Sequence, residues 1–461
     1  MKNNDDLQKY LIGAAAMAAG GLVFARRLFN WQFDKAVGRI MIDPYHENLW
    51  EFVSASMRVG VQNIAETNLR AQEGKVIQRP LGSPKKFPRM DELMFRTVQL
   101  KSLPENESVP LNLTTIIGPQ AARPLELTMP IMISGMAGGL ALSKKIKIAL
   151  AKGSALAGTS TNTGEGPFYQ AERDAAKKLV VQYTKYLWYK EPKYLKQADA
   201  IEMHFGQGAT GGIGHTVKNK KMLKILAKEM PLPSKKAVIS TARFPDMDKL
   251  DKIPELVEEL KRVGGGVPVG AKLAAGHSLE ADMDIAIRAG VDFIALCGAE
   301  AATHGSPPII QDDFGVPTLY AISRAGKYLR ENGLKNKVSL IAAGGLFKPG
   351  DFLKAMALGA DAVYIGSMAL FAVSHDQVLK SLPFEPPTQV AFADGKEAKK
   401  FSVKKGTQAI YKYLMSCAEE MGEGVRALGK RDVHDVGLED LCALDKDIAD
   451  VIGVPFAGRP G

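Results

Sequence analysis

Val338–Ser367, VSLIAAGGLFKPGDFLKAMALGADAVYIGS, decides the fold. It reads as an apolar strand (Val338–Ala343), a Gly-Gly turn, an amphipathic helix (Pro349–Leu358), a Gly-Ala-Asp turn, a second apolar strand (Ala362–Ile365) and then Gly366-Ser367. Two strand-like runs separated by one helix form a parallel βαβ unit. Both strands end in small residues. Gly344 and Gly345 let backbone N–H groups approach an anion closely, and Gly366 with Ser367 offers a second such pocket. Consecutive strands of a (β/α)8 barrel that end this way commonly hold a phosphate after strands 7 and 8. Turns of the same composition also occur in barrels that bind nothing there.

Working outward, short apolar runs alternate with helical patterns from Met129 onward. The spacing predicts strands at Ile131–Ser134, Leu156–Thr159, Ala200–His204, Ala237–Ser240, Pro268–Leu273, Phe293–Cys297, Val338–Ala343 and Ala362–Ile365. Eight near-evenly spaced βα units favour a closed α/β (β/α)8 TIM barrel over a doubly wound sheet. The barrel is expected over 126–375. Residues 32–125 mix helical periodicity with Pro-broken loop and read as an N-terminal helical and irregular cap. Residues 376–461 read as a C-terminal helical extension packed on the barrel or on another subunit, leaving room for a homo-oligomer.

The 461 residues are 46% hydrophobic and 24% charged, which is globular, and the net charge is +10. Lysines and arginines are dispersed, and no aromatic-interleaved basic patch or zinc-finger spacing occurs, so nucleic acid is not an expected partner. Three cysteines without a CxxC exclude a disulfide scaffold and fit a reducing compartment. Residues 1–31 form the one non-globular segment. Leu11–Ala25 carries no charge and precedes Arg26-Arg27. Fifteen helical residues rise only ~22 Å, but Tyr10 and Leu28–Trp31 with snorkelling arginines reach the length of a span. A membrane-anchoring helix is therefore expected, with the body kept cytoplasmic by Arg26, Arg27, Lys35 and Arg39. The alternative is an Ala/Gly-rich packing helix.

Ligand groups in such a barrel sit just past the strand C-termini. Those positions read SGMAGG (134–139), STNTGEG (160–166), EMHFGQGATGG (202–212), GAKLAAGH (270–277), CGAEAATHGSP (297–307), AAGGL (342–346) and IGSM (365–368). Lys272 stands inside an otherwise apolar strand, where an unpaired ammonium is costly and must face something anionic or electron-rich. A structural salt bridge is the competing reading. His204 and His304 lie at predicted strand ends and suit proton transfer near neutral pH. Glu202 and Glu300 are equally suited to hold a substrate amine. No acidic or histidine partner falls at ligand spacing, so no metal site is expected.

Together these segments resemble the FMN-binding barrel domain of the glutamate synthase family, and especially its short members without an amidotransferase domain. The resemblance runs from about Phe87 to about His375. It implies that Ile133, Ser134, Gly135 and Met136 lie along the flavin ring and that Asn162 and Glu165 face the active site. It also implies that Gln207 contacts cofactor or substrate, that Lys272 meets the isoalloxazine, and that Gly344, Gly345, Gly366 and Ser367 hold the phosphate. In that family the reduced flavin delivers electrons to 2-iminoglutarate.

Departures accompany the matches. His204 and Thr210 stand where glutamate-forming members carry lysines, which puts a dicarboxylate substrate in doubt. Glu300 replaces an aspartate, Ala301 and Ala302 replace glycines, and Ala343 stands in place of the ribose-side acid. The cysteine cluster that ligates an iron–sulfur centre after strand 8 is absent. The sequence thus implies an FMN-dependent oxidoreductase acting on a small amino/imino or hydroxy/keto substrate. Its electron partner is a nicotinamide or a redox protein. Two alternatives stay open: a redox-neutral flavin enzyme like type 2 isopentenyl diphosphate isomerase, and a membrane-tethered flavin-binding module without catalysis.

Overall fold

The computed structural model describes residues 2–48, 50–80, 82–186, 191–218, 220–229, 232, 236–245, 247, 249–301 and 303–460, without the side chains of 2–19, 209 and 304. The chain forms two compact units, Met1–Ile77 and Gln78–Gly461. Their division falls inside the 32–125 segment.

The first unit is helical: Lys2–Ile42, Trp50–Val59 and Val61–Glu73. The Asn48 amide closes the long helix by donating to the carbonyls of Arg39, Ile40 and Asp43. Gly60, at φ 85°, separates the second and third helices with a backbone conformation that favours glycine. Among the described residues no helix is long and apolar enough to cross a membrane. Most of the expected anchor, the Leu11–Ala25 run, consists of side chains outside those described. From Gly20 onward the helix exposes Leu22, Phe24, Phe29 and Trp31.

The second unit is built on eight parallel strands: β1 (Ile131–Ile133), β2 (Ser160–Asn162), β3 (Lys178–Tyr183), β4 (Ala200–His204), β5 (Val269–Ala274), β6 (Phe293–Cys297), β7 (Ser339–Ala343) and β8 (Ala362–Ile365). The hydrogen-bonded order is β1-β8-β7-β6-β5-β4-β3-β2. Thr159 Oγ1 donates to Ile131 O at 2.5 Å across the remaining seam, so the sheet is a nearly closed (β/α)8 barrel.

Two expected strands need correction. Leu156 and Ala157 end the helix Lys144–Ala157, which Gly158 closes at φ 74°, and β2 starts only at Ser160. The Val238–Ser240 segment is not a barrel strand but one arm of an antiparallel hairpin with His215–Val217. The barrel strand overlooked in the sequence is β3.

Alternate residues along each strand enter two separate cores, as a period of two requires. Ile131, Val181, Met203, Leu296, Leu340 and Val363 pack outward under the helices. Met132, Val180, Ala200, Phe293, Ile341 and Ala362 fill the barrel interior. The hairpin Thr115–Ile117/Leu125–Leu127 plugs the strand N-terminal end, adding Ile117, Leu125 and Leu127 to that interior core. Gly118 N, in its turn, donates to Ser339 Oγ at the start of β7.

The C-terminal segment packs back on the barrel. Its helix Val403–Ala427 crosses Lys144–Ala157 closely enough that a Cβ on Gly153 would lie 2.2 Å from Ile410 Cγ2. Beyond it, Leu441–Ala443 pairs antiparallel with Leu93–Phe95.

Candidate active site

The same two-residue period that fills the interior carries inward-facing side chains up to the strand C-termini. In β4, Glu202 and His204 follow Ala200 on the inner face; in β5, Lys272 follows Gly270. The register sets Glu202 beside Gly270 and His204 beside Lys272. Glu202 therefore occupies one layer and His204 with Lys272 the next.

The lower layer is a buried polar network. Asn162 Nδ2 donates to Glu202 Oε1 at 3.1 Å and to the Tyr364 hydroxyl at 3.3 Å, and Gln182 Nε2 donates to Glu202 Oε1 at 2.7 Å. Burial, followed by the Glu202 charge, pushes the Tyr364 hydroxyl far up, so it stays protonated. The network supports the β1 exit loop: a Cβ on Gly135 would lie 2.8 Å from both Asn162 Oδ1 and Gln182 Nε2. Only glycine lets that backbone rest directly on the amides. Behind Asn162, Lys147 Nζ donates to its carbonyl at 2.6 Å and pairs with Glu172 at 2.9 Å, both side chains being 1% exposed.

Above this layer a cleft opens, lined by the exits of all eight strands. Lys272 is 1% exposed, its ammonium 5.8 Å from the Tyr364 ring centroid. Among the described residues it has no hydrogen-bond or ion-pair partner. Beside it, His204 Nδ1 lies 2.9 Å from Glu165 Oε1. Burial alone would raise the Glu165 carboxyl; His204, Lys185 and Lys272 overcome this and hold it below its ordinary value. Lys185, past the end of β3, donates to the carbonyls of Phe205 and Gly212 at 2.5 and 3.3 Å. Its ammonium is depressed by burial against the opposing pull of Glu165. His215 and Ser240 bring the Val238–Ser240 hairpin to the cleft wall, and burial lowers the imidazole of His215.

The exits of β7 and β8 form the glycine-rich end of the cleft. Gly344 and Gly345 have φ of 105° and 63°. A Cβ on Gly345 would meet Glu300 Cβ at 2.9 Å, whereas one on Gly366 would meet no protein atom within 4 Å. Gly366 caps the helix Ser367–Ser374, whose first-turn amides start at this wall. Glu300 Oε2 accepts from Thr318 N at 2.8 Å and Thr318 Oγ1 at 2.7 Å, anchoring the helix Thr318–Glu331. Burial raises its carboxyl against these hydrogen bonds.

The structure brings Ser134, Gly135, Met136, Glu165, His204, Gln207, Lys272, Glu300, Gly344, Gly345, Gly366 and Ser367 to one cleft. It does not bring Asn162 and Glu202 to the cleft surface: their place in the strand period puts them one layer down, at 0% exposure. His304 opens the strand His304–Ser306, paired through its backbone with Arg79–Pro80, and its side chain lies outside those described. Gln182, Lys185, Tyr186, His215, Tyr364 and Arg89 are cleft or network residues that the candidate sites of the sequence omitted. Recognition of KLVVQY as a strand would have found the first three.

Comparison with known proteins follows the same outline. The family description "Conserved region in glutamate synthase" matches residues 77–431. A glutamate synthase large subunit-like protein of Rhizobium meliloti is 31% identical, over 86% of this chain and 93% of its own. An archaeal glutamate synthase [NADPH] of Methanocaldococcus jannaschii is 34% identical over 73% of this chain, a match that spans 66% of that longer protein. A flavocytochrome b2 mutant shares the fold, with a TM-score of 0.51 at 16% identity over 81% of this chain and 80% of its own.

Proposed function

The chain belongs to the glutamate synthase family, and we propose that it is an FMN-dependent oxidoreductase exchanging a hydride with a small amino/imino or hydroxy/keto substrate. One observation carries this reading: the buried Lys272 ammonium faces the cleft with no hydrogen-bond or ion-pair partner among the described residues, its one contact there being the Tyr364 ring 5.8 Å away. A bare buried ammonium is unfavourable unless a guest supplies negative charge or electron density. The open space at Gly366, against a helix N-terminus, fits the phosphate of the same guest.

When bound, FMN supplies the two-electron carrier. Lys272 stabilises negative charge on the ring, Gly135 lets the β1 exit backbone lie close to it, and the Gly344–Gly345 and Gly366–Ser367 turns hold the phosphate. His204 moves the substrate proton, with the Glu165 carboxylate close by its Nδ1 to favour the protonated ring. His204 and Thr210 leave the substrate end without the two lysines associated with glutamate formation, so 2-oxoglutarate is a poor fit. Lys185 is a cation available to a single carboxylate. Electrons are exchanged with a nicotinamide or a redox protein. The exposed Leu22, Phe24, Phe29 and Trp31, beside Arg26 and Arg27, support a membrane-associated N-terminal helix.

The test is the absorbance spectrum of purified full-length protein with the mass of the released cofactor, followed by anaerobic mixing with candidate amino and hydroxy acids. Flavin bands, the mass of FMN and bleaching by one substrate class are expected. A preparation that neither holds nor takes up FMN overturns the reading.

A further inference from the structure

We propose that Arg89 is a ligand for the phosphate of FMN, reaching the cleft from the segment that precedes the barrel; this rests on the FMN reading above. Its guanidinium carbon lies 5.3 Å from the centroid of the Phe347 ring, and Phe347 follows Gly344-Gly345 by two residues. Arg89 lines the cleft together with Gly345, Phe347 and Ser367. Its Nε is buried with no hydrogen-bond partner, and no ion pair engages the group among the described residues.

The neighbouring acids form no ion pair with it. Asp91, two residues on, pairs with Lys348. Glu300, which feels the Arg89 charge and lies against Gly345, gives its Oε2 to Thr318. A guanidinium presents five donors in a fixed fork and cannot shed its charge, so leaving it unpaired beside an acid that bonds elsewhere is unfavourable. A phosphate seated on the Gly344–Gly345 and Gly366–Ser367 turns resolves this. It supplies acceptors that match the fork and two negative charges that the glycine amides alone do not neutralise. Stacking on Phe347 fixes the direction of the fork and leaves its edges free to bond.

Riboflavin carries the same ring without the phosphate, so it isolates the claim. Apoprotein, wild type and variant, would be titrated with FMN and with riboflavin, following flavin fluorescence. Arg89→Met keeps the stem that packs on Phe347, and the preference for FMN over riboflavin should fall roughly tenfold or more, the scale of one lost charge-assisted hydrogen bond. Riboflavin affinity should stay close to wild type, which also reports that the cleft has folded. Arg89→Lys, which keeps the charge and loses the fork, should fall between the two. Equal losses for both flavins, or an unchanged preference, would mean that Arg89 only packs on Phe347 and would overturn the assignment. Wild-type apoprotein that binds riboflavin and FMN equally would overturn it while leaving a flavin site standing. Binding of neither would remove the FMN reading and this inference together.

Discussion

His204 Nδ1 and Glu165 Oε1 lie 2.9 Å apart, joining the exit of β4 to the loop after β2. The geometry at Nδ1 is not that of a hydrogen bond, so the carboxylate acts on the imidazole through its charge, favouring the ring when it takes up a proton. His204→Gln should therefore reduce turnover about a hundredfold, with flavin content unchanged. Glu165→Gln should cost less, because it loosens the base without deleting it. Equal turnover in wild type and His204→Gln would remove His204 from the chemistry.

Glu165 also makes a pH prediction whose sign is fixed by its depressed folded-state value. The unfolded chain takes up the proton first on acidification, so the group's contribution is complete above the ordinary glutamate range, about pH 4.3. It is lost as pH falls through the lower folded-state value. Melting temperature should thus drop more steeply below about pH 4.3 in wild type than in Glu165→Gln. Parallel curves would mean that the pair adds no net stability.

Lys272 was legible because a charged residue in an apolar strand breaks the pattern around it; β4, β6, β7 and β8 were legible because they are short apolar runs bounded by small residues. The glycine turns of β7 and β8 were readable for the same reason, since positive φ at Gly344 and Gly345 demands that residue type. β2 was not legible: Ser160 and Asn162 are polar where they face the barrel interior, Thr161 between them adds no apolar signal, and the apolar run before it comes from the end of a helix. β3 was hidden by the brevity of Gln170–Ala175, six residues long, which blurs the strand–helix alternation. Missing β3 also hid Gln182. Arg89 could not be placed from sequence, since its relation to Phe347 spans the whole barrel.

For Lys272, the expected effect is electronic. Lys272→Met should leave FMN retention largely intact, because the phosphate turns remain, and should lower the flavin reduction potential. For a two-electron couple ~30 mV corresponds to about 1.4 kcal/mol, a reasonable scale for one partly screened cation. Wild type and variant would be measured with the same dye couples. Equal potentials would place the ammonium away from the ring.

The glycines of the two turns separate folding from binding. At Gly345 a side chain meets strain twice: φ is 63°, and a Cβ would lie 2.9 Å from Glu300 Cβ. Gly345→Val should destabilise the β7 exit itself, lowering the melting temperature of apoprotein as well as cofactor content. At Gly366 φ is −110°, which other residues adopt, and a Cβ meets no protein atom within 4 Å. Gly366→Leu should therefore leave the apoprotein melting temperature within about a degree or two of wild type, the scale of a surface substitution. Its side chain would instead fill the space assigned to the phosphate, so FMN retention should be lost. The contrast is read from two measurements on each variant: thermal melting of apoprotein and flavin content after reconstitution. If Gly366→Leu reconstitutes as fully as wild type, the phosphate lies elsewhere in the cleft, and Ser367 with its helix N-terminus is not its seat.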